Sequence, residues 1–213
     1  MTRFAWVGAT VATVLFAAGC SDSSSPTLSA PKDPLQVRVV VLRKAAKSGS
    51  PVERFSEPVT SPSAQAATLA ALRWAPSPAE ERAFTEFRCT TAGAAPAAKP
   101  LMACDALGVA YLLSPAAIDG HVTSAASKPD QSGKWAVDVT FDKDGGTSLS
   151  SLSESLSKTA DGSAGKRRPM AFQRARMVAM AGEVLQPIAG GKVQLASFSR
   201  DRADQLARDI MPT

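Results

Sequence analysis

The sequence predicts an α+β fold in which small mixed or antiparallel sheets are backed by short helices. Three observations carry this expectation. Leu35-Gln36-Val37-Arg38-Val39-Val40-Val41-Leu42 is an unbroken β-branched run, and Trp135-Ala136-Val137-Asp138-Val139-Thr140-Phe141 alternates apolar and polar residues with the period of a half-wet strand. Leu149, Leu152 and Leu156 then recur at helical spacings of three and four, as do Ala203, Leu206, Ala207 and Ile210 near the C-terminus.

In the 213 residues Met1, Thr2 and Arg3 are followed by apolar residues from Phe4 to Ala18, with the small residues Ala17, Ala18 and Gly19 before Cys20. As a helix that apolar run would reach roughly 22 Å, short of the roughly 30 Å of hydrocarbon that a permanent span crosses. Residues 1–19 therefore read as a signal peptide. Small residues ahead of a thiol nucleophile resemble the lipobox of bacterial lipoproteins, with Ala17 where that family usually has Leu. Cys20 is accordingly expected to carry diacylglyceryl and palmitate-type chains, two or more of which anchor a protein firmly to a membrane. The alternatives are an ordinary secretory signal with a coincidental cysteine and a retained membrane helix. The expected location is the extracytoplasmic face of the cell membrane, with residues 20–34 as lipid anchor and flexible Ser/Pro linker.

After the strand beginning at Leu35, Lys47 to Pro62 reads as loop and Ala64 to Leu72 as a short helix. Pro78 to Phe87 begins a second helix, with Ser77 as its cap and Glu80 and Glu81 in its first turn. Residues 35–107 form a small, loop-rich N-terminal region. In an oxidising compartment Cys89 and Cys104 are free to pair, and closing that ring would contribute about 3 kcal/mol on the chain-entropy account. Metal ligation is the alternative, disfavoured because no histidine lies nearby in sequence.

Residues 108–213 form a denser second region. Val109 to Leu113 is an apolar strand, Asp119-Gly120 a turn before His121 to Ala126, and 142–146 (Asp-Lys-Asp-Gly-Gly) a turn ending the strand that starts at Trp135. Thr147 to Lys158 is the leucine-striped helix. Met170 to Val178, Met180 to Leu185 and Lys192 to Leu195 are further strands, and Ser199 caps the last helix.

Several signals for chemistry have simpler structural readings. His121 is the sole histidine and no G-x-S-x-G surrounds a serine, so no hydrolase constellation is expected and the chain reads as a non-enzyme. Asp142, Asp144, Gly145 and Gly146 lack the later acidic positions of a calcium loop, and Gly190-Gly191 lacks a phosphate-loop frame. No metal or cofactor is expected. A formal net charge of +5 is too diffuse to imply nucleic acid, while Lys166, Arg167, Arg168, Arg174 and Arg176 could meet anionic headgroups or phosphate, or form a solvated loop and strand face.

Taken in order, Tyr111-Leu112-Leu113-Ser114-Pro115, Asp119-Gly120 with Val122 and Ser124-Ala125, Trp135 to Phe141, Pro187-Ile188-Ala189-Gly190-Gly191-Lys192-Val193-Gln194 and Phe198 to Ala207 resemble the head part of the first periplasmic domain (P1) of the SecD protein-export family. Leu35 to Leu42 is similar to the opening strand of that domain's base, making 35–107 P1-base-like and 108–213 P1-head-like. The resemblance implies assistance to the Sec channel, in which proton flow drives a large extracytoplasmic domain that grips emerging polypeptide. The multi-helix membrane portion is expected to be absent, leaving a head whose lipid supplies attachment only.

Matching backward from Pro187 places Ala175-Arg176 on the family's Asp-Gly turn and Met180-Ala181-Gly182 on its Ser-Ala-Pro run. These departures suggest that 172–185 runs as one longer bent strand. The expected function is a lipid-anchored protein-binding or scaffold module, presenting a sheet edge or the face near Lys192 to Phe198. Its partners would be the Sec translocon or exported polypeptides. The alternative is an envelope carrier or receptor for a small ligand or lipid. No feature sets an oligomeric state.

Overall fold

The structure is a computed structural model, and it describes residues 33–47, 50–60, 64–89, 95–158 and 167–211. Ten strands and four helices follow one another in these segments: β1 (Leu35–Lys44), β2 (Val52–Arg54), α1 (Ala66–Arg73), α2 (Pro78–Glu86), β3 (Leu101–Asp105), β4 (Ala110–Leu113), β5 (Ile118–Asp119), β6 (Val122–Pro129), β7 (Trp135–Phe141), α3 (Lys143–Ser157), β8 (Met170–Arg174), β9 (Met177–Gly182), β10 (Lys192–Phe198) and α4 (Arg200–Ile210). The α+β expectation holds.

β1 organises the first sheet because both its faces are buried. Its C-terminal half pairs antiparallel with β4, and its N-terminal half pairs antiparallel with β8. Since β4 pairs β3, β3 pairs β9 in parallel and β9 pairs β8, the five strands close into a ring. Short β2 and β5 extend β1 at its two ends. The ring's interior is filled by Val40, Leu101, Ala103, Tyr111, Leu113, Ala171 and Val178, at least one from each strand. Residues on both sides of position 107 thus share one sheet.

One end of the ring is polar. Arg38 is wholly buried, and all five of its N–H groups find acceptors: Nε and Nη2 reach Gln36 Oε1 at 3.1 and 2.7 Å, Nη2 also reaches Pro96 O at 2.9 Å, and Nη1 reaches Lys99 O and Ser114 O at 2.7 Å each. Gln36 spends its amide N–H groups on Ala95 O and Asp119 Oδ1, and its Oε1 also takes Gln173 Nε2. Burial pulls the Arg38 guanidinium down to about 10, with Asp119 opposing the shift.

Helices cover the outer faces. α2 has the expected cap, Ser77 accepting from Glu80 N while the Glu80 carboxylate accepts from Ser77 N. Its C-terminal carbonyls are met by Lys44 Nζ, which takes Phe84 O, Thr85 O and Phe87 O at 3.0 to 3.1 Å. Arg168 does the same for α1 through Leu72 O and Trp74 O.

A second core lies between the ring and a three-stranded antiparallel sheet ordered β10-β7-β6. Leu35, Val37, Val39, Met170 and Phe172 on the ring face Val137, Val139, Phe141, Val193 and Leu195, with Leu149, Leu152 and Leu156 of α3 and Ala203, Leu206 and Ile210 of α4 completing it. The serines of α3 tolerate burial because Ser151, Ser153 and Ser155 donate to carbonyls of the preceding turn. Ser153 Oγ also accepts the Ile188 N–H at 2.8 Å, fixing the connection into β10.

Three local expectations differ from the structure, and one strand was not foreseen. β2 lies within the expected 47–62 loop, and β3 is a strand the composition did not signal. Residues 142–146 start a helix instead of ending a strand with a turn. Asp142 caps α3 by accepting the Gly145 N–H, and the glycines permit close approach, since a Cβ on Gly145 would stand 2.6 Å from His121 Cβ and one on Gly146 3.1 Å from Gly191 Cα. Residues 172–185 do not form one bent strand: the chain reverses at Ala175-Arg176, with Ala175 at φ 51, so β8 and β9 form a hairpin.

Candidate protein-interaction edge

The three-stranded sheet presents the exposed strand β6, and its geometry is set by turns at both ends. Before β6, Gly120 and His121 adopt φ values of 76 and 62°, carrying the chain from the ring into the second sheet. Asp142 N–H donates to His121 O at 2.8 Å, and His121 Nδ1 lies 2.9 Å from Asp142 Oδ2. After β6, Asp130 Oδ1 accepts from Ser132 N, Ser132 Oγ and Lys134 N, while Asp130 N–H donates to Lys134 O. These bonds, led by the Ser132 hydroxyl, hold the Asp130 carboxyl below its ordinary value. They also fix the register Ala125↔Val139, Ser127↔Val137 and Pro129↔Trp135.

Only β7 pairs with β6 among the described residues. Ala125 N–H instead donates to Met211 Sδ at 3.0 Å, so it points away from β7. By the alternation of an antiparallel ladder, the backbone groups of Ser127 and Pro129 share that open side. Pro129 has no N–H, and Lys128 beside it is exposed; both are devices that blunt an edge. α4 packs beneath β6, where Ser127 Oγ donates to Asp204 and the Arg200 guanidinium lies 5.0 Å from the Trp135 ring centre. On the opposite, wet face, Asp138 accepts from Lys128 and from Gln194 Nε2, linking all three strands.

The face near Lys192 to Phe198 is less open than expected, because Val193, Leu195 and Ala196 are buried. The pocket beside it, lined by Met170, Phe172, Met180, Val184, Ile188 and Leu195 among others, holds about 10 Å³ of space, room for about one water and far below a lipid or drug-sized ligand. A more open cleft of about 260 Å³ lies between β2 and α2, where Arg54 and Glu81 pair.

Other sequence-derived residues fall as follows. Cys20 and Lys166 lie outside the described residues. Cys89 and Cys104 are disulfide-bonded, with Cα atoms 5.8 Å apart. Within the basic group Arg168 and Arg174 are only 4 and 1 % exposed and so are not part of a solvated face, Arg174 Nε donating to Asp33 O, while Arg167 and Arg176 are half-buried. Asp142 is a helix cap, Asp144 is exposed, and no group of three or more potential metal ligands occurs among the described residues. Gly190 and Gly191, at φ 75 and 63°, make the tight turn into β10, where Gly191 O accepts the Phe141 N–H. Two features went unread in the sequence, the buried Arg38 network and the β6 edge.

A family model described as "SecDF, P1 head subdomain" matches residues 100–210, beginning at β3 and ending with α4. No curated protein matches the chain. The solved structure described as "Structure and function of a membrane component SecDF that enhances protein export" is 19% identical over 83% of this chain and 60% of its own, with a TM-score of 0.42. "Crystal structure of SecDF in Super-membrane-facing form" is 18% identical over 83% of this chain and 18% of its own, with a TM-score of 0.43. This chain therefore spans 60% and 18% of those two proteins. With more than half its residues matched by the family model, the chain belongs to the SecDF P1 head subdomain family.

Proposed function

We propose that this chain is a lipid-anchored extracytoplasmic module that holds extended polypeptide and assists Sec-dependent export. In this reading residues 1–19 are removed, Cys20 carries the lipid, and 20–34 is a tether to a P1-base-like part (35–107) and a P1-head-like part (108–213) that share the ring sheet. The observation that carries polypeptide binding is the eight-residue strand β6, which among the described residues pairs on one side only. An added strand would gain main-chain hydrogen bonds, which are indifferent to side-chain identity and so suit many exported sequences. The family supports the link to export, and the 10 Å³ pocket beside β10 gives the small-ligand reading no support.

The binding claim is tested with the purified full chain and a fluorescent, unstructured secretory peptide. Ala125→Pro deletes the outward N–H without removing a bond to β7, and it is expected to weaken peptide binding severalfold. Unchanged binding by this folded variant would overturn the β6 assignment. The anchor is tested separately: Cys20→Ser should release the protein from membranes and remove the acyl mass, and an unchanged membrane fraction and mass would contradict it.

A further inference from the structure

Segment 95–99 runs beside the polar end of the ring outside any strand, and it is held there by two means. The first is polar: the carbonyls of Ala95, Pro96 and Lys99 take N–H groups of Gln36 and Arg38, and Ala97 O takes the Ala116 N–H. The second is covalent, because Cys89 and Cys104 close a ring through this segment, Cys104 being anchored on β3 between β4 and β9. Arg38 is bonded entirely to neutral oxygens, two of them carbonyls of 95–99. A guanidinium taken out of water needs every one of those acceptors, so losing the segment would leave a buried charge incompletely solvated. Opening the covalent ring raises the entropic cost of keeping the segment in place.

We propose that the Cys89–Cys104 disulfide is a redox latch that completes the Arg38 network and thereby closes the polar end of the ring. On oxidation the two thiols give up two protons and two electrons and form one S–S bond. The electrons pass to a disulfide oxidant, which is reduced to two thiols. In the reverse direction Cys89 is exposed and Cys104 is buried, so an incoming thiolate attacks Cys89 Sγ and Cys104 leaves as thiolate; a second thiol then resolves the mixed disulfide on Cys89, giving the dithiol and the oxidised disulfide of the reductant. The dithiol form frees 95–99 to open and lets water reach Arg38. The chain is then loose where thiols are kept reduced and locks where disulfides persist. This goes beyond the polypeptide-binding reading and stands or falls independently of it.

The test uses the full chain with Cys20→Ser, so that only Cys89 and Cys104 react, poised in reduced and oxidised glutathione. Hydrogen exchange is followed at Val39, Ala116 and Ala117, whose N–H groups bond Ser114 Oγ, Ala97 O and Val37 O, and at Phe141 in the second sheet. Reduction is expected to accelerate exchange at the first three about tenfold or more while leaving Phe141 unchanged. Equal acceleration at all four, or none, would overturn the latch and leave a uniform staple or an inert bond. Coupling is reciprocal, so Arg38→Met should shift the glutathione equilibrium about tenfold toward the dithiol. Arg38→Lys serves in its place if the first variant does not fold, and an unchanged equilibrium in the folded variant would overturn the proposal.

Discussion

His121 Nδ1 lies 2.9 Å from Asp142 Oδ2, and the other oxygen of that carboxylate accepts the Gly145 N–H at 2.8 Å. One side chain therefore caps α3 and pins the crossover from the ring into β6. The Gly145 N–H first, and His121 second, hold the Asp142 carboxyl below its ordinary value of 3.8. A carboxyl depressed in the folded state stabilises above its unfolded value, and that stabilisation disappears as pH falls through the lower folded value. Thermal melts through the acid range should show this loss. Asp142→Asn, which keeps a capping oxygen, should flatten it; an unchanged acid limb would show that Asp142 does not contribute.

Gly145→Ala should destabilise the protein by about 1–3 kcal/mol, the range of overpacking. In an ordinary helix interior the same exchange stabilises by roughly 0.5–1 kcal/mol. Here the new Cβ would stand 2.6 Å from His121 Cβ and 3.2 Å from Phe141 Cβ. Chemical denaturation decides the sign, and a gain in stability would refute the close approach.

Arg38→Met should cost about 3–5 kcal/mol, because the Pro96, Lys99 and Ser114 carbonyls lose buried donors together. Arg38→Lys should recover only part of this, since an ammonium has three donors and no planar fork. Urea unfolding of the two variants checks the order. A lysine variant as stable as the parent would show that charge alone suffices.

These residues also show what was legible in the sequence. β1, β7, α2 and α4 carry their own local signals: a β-branched run, alternation from Val137 onward, Ser caps and apolar stripes. β3 has none, because Met102-Ala103-Cys104 becomes a strand through pairing with β4 and β9, partners distant or external to its own pattern. The start of α3 was hidden by Gly145-Gly146, poor helix formers retained where His121 and Gly191 leave no space for a side chain. The β6 edge depends on which strands fail to pair, a property of the whole fold. Arg38 did leave a trace: β1 shows apolar residues at both parities, so it has no wet face on which an arginine could lie. Arg168 and Arg174 lacked even that signal within a run of basic residues.

Ala125→Pro should leave stability within about 1 kcal/mol of the parent, since the deleted N–H serves Met211 Sδ and no strand. Loss of the fold on this substitution would place the Ala125 N–H in the β7 ladder. Guanidinium unfolding monitored by tryptophan fluorescence distinguishes the two cases.

The most direct test of polypeptide holding is photocrosslinking in intact, exporting cells with the reactive group at exposed Ala126 of β6, and at exposed Lys143 at the start of α3 as control. The account predicts adducts with secretory chains in transit at position 126, few at 143, and their loss when Ala125→Pro is added. Equal adducts at both positions, or adducts at 126 that survive the proline, would contradict it.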